Sequence, residues 1–265
     1  MTVTDLELRE LAQRVQTARR PVALTGAGVS AESGVPTFRG PDGLWRRYRP
    51  EDLATPEAFA QNPELVWEWY NWRRERIARA RPNPAHRWLA AYERQAPAFL
   101  LVTQNVDGLH GLAGSRRMVE VHGSLWRVRC TACGAEREDR QVPLPVPPRC
   151  EACGGLLRPG VVWFGEALPA EALTRAVEAV ERADLLLVIG TSAVVHPVAS
   201  LPGLARSAYV VEVNPEPTPL TPTADLSIRS PAGALFSRLP LPDGTRVKSC
   251  EARDGTSPPT KGDPP

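Results

Sequence analysis

The sequence predicts an α/β fold: a doubly wound parallel sheet with a smaller domain inserted into it. Three observations predict it. Short, continuously apolar runs alternate with segments of helical periodicity, the pattern of a parallel sheet covered on both faces. The first of those runs, Val22-Ala23-Leu24-Thr25, leads straight into a glycine-rich turn, Gly26-Ala27-Gly28-Val29-Ser30. Two segments, residues 41–81 and 130–157, break the alternation and form the inserted domain.

The elements follow in order. Thr4 and Glu7 make a capping box for a first helix, on which Leu8, Leu11, Ala12 and Val15 share one face, ending near Arg19 before Pro21. Asn62-Pro63 and Asn83-Pro84 each open a helix, because asparagine caps well and proline suits the first helical position. Ala98 to Thr103 is a buried strand, and Val119 to Val121 a short one. Pro169 to Ala183 is a helix, Asp184 to Ile189 a strand, Pro197 to Arg206 a helix, Tyr209 to Val213 a strand and Ala232 to Leu239 a final helix. The large dinucleotide-binding, Rossmann-like domain therefore spans 1–40, 82–129 and 158–240. Segment 41–81 is a helical insert, and 130–157 a metal-binding module of the small domain. From residue 241 onward the chain turns to Pro, Gly, Asp, Thr and Ser, a composition that predicts a disordered tail, which holds Cys250.

Composition narrows the function classes. The 265 residues are 42% hydrophobic and 23% charged, as in a globular protein with a packed core. A net charge of +2 gives no field strong enough to select nucleic acid or an anionic membrane. Residues 1–20 lack the apolar run of a signal peptide, and the longest apolar runs are strand-sized. A cytoplasmic monomer is expected. Cysteines in such a compartment are seldom disulfides.

Four cysteines have another explanation. Cys130-Thr-Ala-Cys133 and Cys150-Glu-Ala-Cys153 are two pairs sixteen residues apart, each followed by glycine, Gly134 and Gly154. That spacing predicts a tetrahedral Cys₄ zinc site, with no position left for water and hence a structural role. A redox dithiol would need only one pair.

The remaining chemistry sits at strand ends. The glycine turn suits a diphosphate, whose charge backbone N–H groups meet. Phe38 and Arg39, in Pro36-Thr37-Phe38-Arg39-Gly40, read as a lid on a loop. Gln104, Asn105 and Asp107 follow the second strand, Gly190-Thr191-Ser192 a later one, and Asn214 another. His122 follows Val119-Glu120-Val121 and precedes Gly123, well placed for general-base work near neutral pH. In a doubly wound sheet, ligands bind beyond the carboxyl ends of the strands. Together these ends predict a cofactor cleft. His86 reads as a packing or surface residue.

In these motifs the chain resembles the sirtuins, NAD-dependent protein deacylases. The resemblance rests on Gly26 to Ser30, Pro36 to Gly40, Thr103-Gln104-Asn105-Val106-Asp107, Val121-His122-Gly123, the cysteine quartet, Val161-Val162-Trp163-Phe164-Gly165-Glu166, Gly190-Thr191-Ser192 and Val213-Asn214. It covers about Leu11 to Leu239. It implies NAD as co-substrate and one structural zinc. By the resemblance, Gly26, Ala27, Gly28, Ser30, Glu32, Gly190, Thr191 and Ser192 surround the dinucleotide. Asn214 and Glu216 face the adenosine ribose, and Ala232 the adenine. Thr37, Phe38, Arg39, Trp45, Gln104, Asn105, Val106 and Asp107 enclose the nicotinamide end. His122 and Asn105 are the implied catalytic residues. The acyl oxygen attacks the ribose as nicotinamide leaves, His122 takes a ribose hydroxyl proton, and the products are free lysine, nicotinamide and O-acyl-ADP-ribose. The acyl-lysine peptide is implied to add as a strand between Phe164-Gly165-Glu166 and Val194-Val195-His196, with Val162 beside it.

The helix after Pro63 bears on the acyl group. Val66, Tyr70, Arg73 and Ile77 fall on one helical face, and Arg73 is the odd member of that apolar stripe. An exposed arginine head is the plain reading. Tyr70-Asn71-Trp72-Arg73 also matches the Tyr-x-x-Arg pattern of the sirtuin class that removes succinyl and malonyl groups, and Ala54 its small pocket residue. A guanidinium fork and a phenol suit a terminal carboxylate. The expectation is a deacylase for succinyl-, malonyl- and acetyl-lysine. The rivals are a deacetylase only, a protein ADP-ribosyltransferase using the same cleft, and a non-catalytic NAD-sensing or nucleic-acid-binding zinc protein.

Overall fold

A computed structural model describes residues 3–38, 43–44 and 49–247. Arg39, Gly40, Trp45 and Cys250 lie outside the described residues, as does the tail from residue 248 onward. The predicted capping box forms: Glu7 N donates to Thr4 Oγ1 at 3.2 Å and Thr4 N to Glu7 Oε2 at 2.7 Å, opening α1 (Asp5–Thr17). β1 (Pro21–Thr25) is buried throughout. The glycine turn continues as a 3₁₀ helix, Ala27–Ser33, rather than an α-helix.

Four helices follow: α2 (Pro50–Leu53), α3 (Pro56–Gln61), α4 (Pro63–Arg79) and α5 (Pro84–Gln95). Both asparagine caps are present. Asn62 Oδ1 accepts from Leu65 N at 3.0 Å, and Asn83 Oδ1 from Ala85 N at 2.9 Å. Next come β2 (Leu100–Thr103), α6 (Leu109–Ala113), β3 (Met118–Glu120), β4 (Gly123–Cys130), β5 (Glu136–Glu138) and β6 (Leu157–Val161). The chain then runs through α7 (Ala170–Glu181), β7 (Leu185–Ile189), β8 (Tyr209–Val213), β9 (Leu226–Ile228) and α8 (Ala232–Arg238). The segment read as a helix from Pro197 is a 3₁₀ helix, Val198–Leu204, which carries Pro202 inside it. No helix among the described residues is long and apolar enough to cross a membrane.

The large sheet has six strands in the order β3-β2-β1-β7-β8-β9, paired in parallel. Both faces are covered, as the unbroken apolar strands require. Along β7, Leu185, Leu187 and Ile189 pack with α1, α5 and α8 on one face. Leu186 and Val188 pack with Ala176 and Val180 of α7 on the other. Strand order reverses between β1 and β7, which opens a crevice beyond their carboxyl ends. Register sets Thr25 beside Thr103 and Ile189, so the segments after three strands meet there.

The small domain joins α2, α3 and α4 to an antiparallel sheet, β5-β4-β6. Its strands run from Gly123 to Val161, beyond the 130–157 segment read from the cysteines. Arg127 and Arg129 interrupt the apolar run of β4, and Pro159 and Gly160 that of β6, which hides both strands in the sequence. Gly123 is the joint between the two sheets. Its φ is +76°, and a Cβ there would stand 2.2 Å from the Gly160 oxygen.

Helix α4 fastens the two parts of the small domain through buried polar groups. Arg74 is 1% exposed and donates to the carbonyls of Leu125 at 2.5 Å, Asp139 at 2.6 Å and Gln141 at 2.9 Å. Asn71 pairs with both backbone groups of Leu144, and Trp67 Nε1 donates to Leu157 O. Arg74→Met leaves three buried carbonyls without their donor and removes the buried charge facing Asp139, whose carboxylate keeps its bonds from Arg137 and Gln141 N. A loss of about 3–5 kcal/mol is expected in denaturant unfolding. A loss below about 1 kcal/mol, the size of one ordinary hydrogen bond, would show that this arginine does not hold the module.

Candidate active site

A cavity of about 990 Å³ fills the crevice between the two domains, at the upper end of the range for ligand pockets. One half of its wall comes from the ends of β1, β7 and β8. Here the two glycine loops interlock. Gly26 N donates to Ile189 O at 3.0 Å and Gly28 N to Gly190 O at 2.8 Å. A Cβ on Gly26 or Gly28 would come within 2.8 Å of Gly190 or Thr191. These glycines are therefore required first by loop-on-loop packing, and the ligand-facing surface follows from it. Asn214 Nδ2 donates to Thr191 O at 2.8 Å, which ties the third loop to the second.

Glu32 lines this half, yet its carboxylate accepts from Gly233 N and, at 3.1 Å, from Ala234 N. It caps α8 across the wall. Ala232 is 3% exposed and packs in the core, while Pro231 lines the cavity.

Gln104, Asn105, Val106 and His122 line the middle. Ser30 and Asp107 lie just beneath it. Asn105 Nδ2 donates to Ser30 Oγ at 3.2 Å, and Ser30 Oγ to Asp107 Oδ2 at 2.7 Å. Burial raises the Asp107 pKa, opposed by its bonds from Leu109 N and Ser30 and by the Arg73 charge. His86 is wholly buried here, not on the surface. Its Nδ1 accepts from Asn83 N at 3.3 Å, so its Nε2 carries the proton and donates to Ser30 Oγ at 3.2 Å. Burial and the neighbouring His110 hold its pKa well below the usual histidine value. His110 packs against it with ring centroids 4.7 Å apart, and burial pushes its pKa down to about 3. Both rings are neutral supports.

His122 stands at the joint between the sheets. Its carbonyl accepts from Val162 N at 2.9 Å, and its Nδ1 lies 3.0 Å from Gln104 O. A carbonyl only accepts, so Nδ1 carries the proton and Nε2 offers a lone pair. Burial lowers the His122 pKa, and the Gln104 bond partly opposes it. The neutral imidazole at neutral pH is thus a base with a fixed tautomer.

The far half belongs to the small domain: Phe38, Ala54, Trp69, Tyr70, Arg73 and Phe164 line it. Arg73 is 8% exposed, with its guanidinium 4.8 Å from the Phe38 ring and 4.9 Å from the Trp69 ring. Its head lies in the cavity wall, not in solvent. Thr37, Val162, Gly165, Val195 and His196 complete the rim. Glu166 borders the cavity too, but its carboxylate binds Arg158 at 2.6 and 2.9 Å. Residues 164–166 and 194–196 form no strand of their own.

The cysteines form a separate site. Their four sulfurs lie within 4.8 Å of one another, with Cys130 and Cys153 3.5 Å apart and Cys133 and Cys150 3.8 Å apart. Tetrahedral Zn–S bonds of about 2.3 Å place sulfurs about 3.8 Å apart, so the set fits one zinc ion. Gly134 and Gly154 take φ of +73° and +72° and close matching turns onto the carbonyls of Cys130 and Cys150.

The sequence profile of the Sir2 family matches residues 26–197, which include both glycine loops, His122 and all four cysteines. The chain belongs to the Sir2 family. An NAD-dependent protein deacylase of Aquifex aeolicus is 58% identical over 221 residues, 82% of this chain and 92% of that one. A Sir2 homologue solved with NAD is 55% identical with a TM-score of 0.81, over 86% of this chain and 90% of that one. A Sir2 structure with a p53 peptide and NAD⁺ is 33% identical with a TM-score of 0.78, over 86% of this chain and 94% of that one. The Sir2 fold thus extends over both domains of this chain. Trp69 also stands on the cavity wall, where an indole in an apolar stripe carries no sequence signal of its own, and Trp163, read only as part of the motif at residues 161–166, stands there with it.

Proposed function

We propose that this Sir2-family chain is an NAD-dependent protein-lysine deacylase that removes succinyl, malonyl and acetyl groups. Relatives named for NAD-dependent deacylation and solved with NAD or a peptide support the reaction class. NAD suits the half lined by the interlocked glycine loops, Asn214 and Glu216; when bound, it would supply the ribose carbon that the acyl oxygen attacks and the ribose hydroxyl that takes the acyl group. Gln104, with Nε2 3.0 Å from Thr191 Oγ1, joins the two loops across the cleft. Asn105, anchored through Nδ2 on Ser30 Oγ, lines the middle of the cavity. His122 Nε2 takes a hydroxyl proton there, and the Gln104 carbonyl keeps the ring in the accepting tautomer.

The observation that carries the acyl range is Arg73. Among the described residues it has no carboxylate in ion-pair reach and no hydrogen-bond acceptor. A buried guanidinium without an acceptor is costly, and a carboxylate on the acyl chain satisfies it. Burial lowers its pKa, with Tyr70 and Asp107 opposing, and an arginine keeps its charge regardless. Ala54 leaves room beside it.

The test is Arg73→Met combined with Tyr70→Phe, assayed on paired succinyl- and acetyl-lysine peptides. The succinyl-to-acetyl ratio of kcat/KM is expected to fall roughly 100-fold or more. Equal losses on both peptides would leave a deacylase without an acidic-acyl pocket.

A further inference from the structure

The geometry points to Trp163 as a positioning residue that sets acyl specificity by making the Tyr70 phenol an obligate donor into the cavity. The inference rests on the acidic-acyl reading above and names a residue that reading does not use. Trp163 Nε1 donates to the Tyr70 oxygen at 2.8 Å. An indole N–H can only donate, so it occupies an acceptor site of the phenol. The phenol's own proton must then go elsewhere. Among the described residues no acceptor stands for it, which leaves the cavity that Tyr70 lines as the place for an acceptor. Burial raises the Tyr70 pKa, against the nearby charges of Arg73 and Arg158 and the Trp163 bond, so the proton stays on.

A carboxylate held by Arg73 accepts that proton. An acetyl chain ends in a methyl group, and its carbonyl oxygen is committed to the ribose, so the phenol's proton is left unmatched. The discrimination thus arises from what Trp163 forbids as much as from what Arg73 attracts.

Trp163 is itself held rigidly. Its backbone N–H donates to Glu166 Oε2 at 2.8 Å, and the same carboxylate takes a two-pronged bond from Arg158. The Arg158 guanidinium lies 3.6 Å over the indole ring, and Phe59 packs on it with centroids 5.4 Å apart. Arg158 is 7% exposed and Trp163 3%, so this brace is internal. The carboxylate of Glu166, whose segment is expected to hold the peptide mainly through its main chain, steadies the indole.

The experiment is a double-mutant cycle with Trp163→Phe and Tyr70→Phe, read as the succinyl-to-acetyl ratio of kcat/KM. Trp163→Phe alone is expected to lower the ratio about tenfold, mainly through KM for the succinyl peptide. In the Tyr70→Phe background it is expected to move the ratio no further. A packing defect would lower both activities together, or add its full effect in both backgrounds, and either result overturns the inference. A wild-type protein without desuccinylase activity would fail the acyl reading itself, and this inference with it. A desuccinylating wild type whose ratio is indifferent to Trp163→Phe fails this inference alone.

Discussion

Replacing His122 by Asn is expected to lower kcat/KM by about 10²–10⁴-fold on every acyl-lysine peptide, whatever the acyl group. The size follows from the role: among the described residues the ring is the one neutral imidazole that lines the middle of the cavity with a free Nε2. His86 and His110 are committed to buried hydrogen bonds beneath the floor. The pH profile of the wild type carries the same information. The active form is the neutral ring, so activity holds above the His122 pKa and falls as pH drops through it. Burial sets that pKa below the ordinary 6.5, so the acid limb is expected below that value. An acid limb above the ordinary histidine value, or a His122→Asn variant within a few-fold of wild type, would remove His122 from the chemistry. The variant is expected to bind the co-substrate still, because the ring's hydrogen-bond partner is the Gln104 carbonyl and not a glycine loop.

The second large effect concerns the metal. Stripping zinc with a chelator, or replacing Cys150 by Ser, is expected to unfold the small domain and abolish activity. Structural zinc contributes on the order of 10 kcal/mol in small domains. The cysteine turns sit at the tips of β4 and β6, and the core behind them holds Trp67, Trp69, Trp126 and Trp163. The near-ultraviolet circular dichroism of those indoles is the readout, alongside one zinc per chain by metal analysis. Because Tyr70 and Trp163 belong to that core and Arg73 packs against Trp69, loss of the ion reaches the acyl pocket from a distance. Retained ellipticity and activity in the metal-free protein would contradict a structural ion.

What the sequence discloses and what it hides divide along a physical line. Features set by neighbours in the chain are readable. The capping box at Thr4, the asparagine caps at Asn62 and Asn83, the buried parallel strands and the two cysteine turns all obey local rules. Features set by partners far along the chain are not. Gly26 and Gly28 stand out, but the packing that demands them, against Gly190, depends on β7 lying beside β1. The motif around Glu32 points to the cofactor, while its carboxylate caps a helix that starts two hundred residues later. Arg74 gives no sign of its three carbonyl partners, since an arginine beside another arginine reads as surface. For Arg73, helical periodicity alone favours a solvated head and only the Tyr-x-x-Arg resemblance points inward, and the rings of Phe38 and Trp69 around it decide for burial.

The most direct test of the central claim is mass spectrometry of paired succinyl-lysine and acetyl-lysine peptides, each incubated with the zinc-loaded protein with and without NAD. NAD-dependent loss of the succinyl group, with O-succinyl-ADP-ribose and nicotinamide formed, is the predicted result. Loss of acetyl alone would keep the deacylase and overturn the role given to Arg73 and Tyr70. ADP-ribose retained on protein, with both acyl groups intact, would contradict the account as a whole.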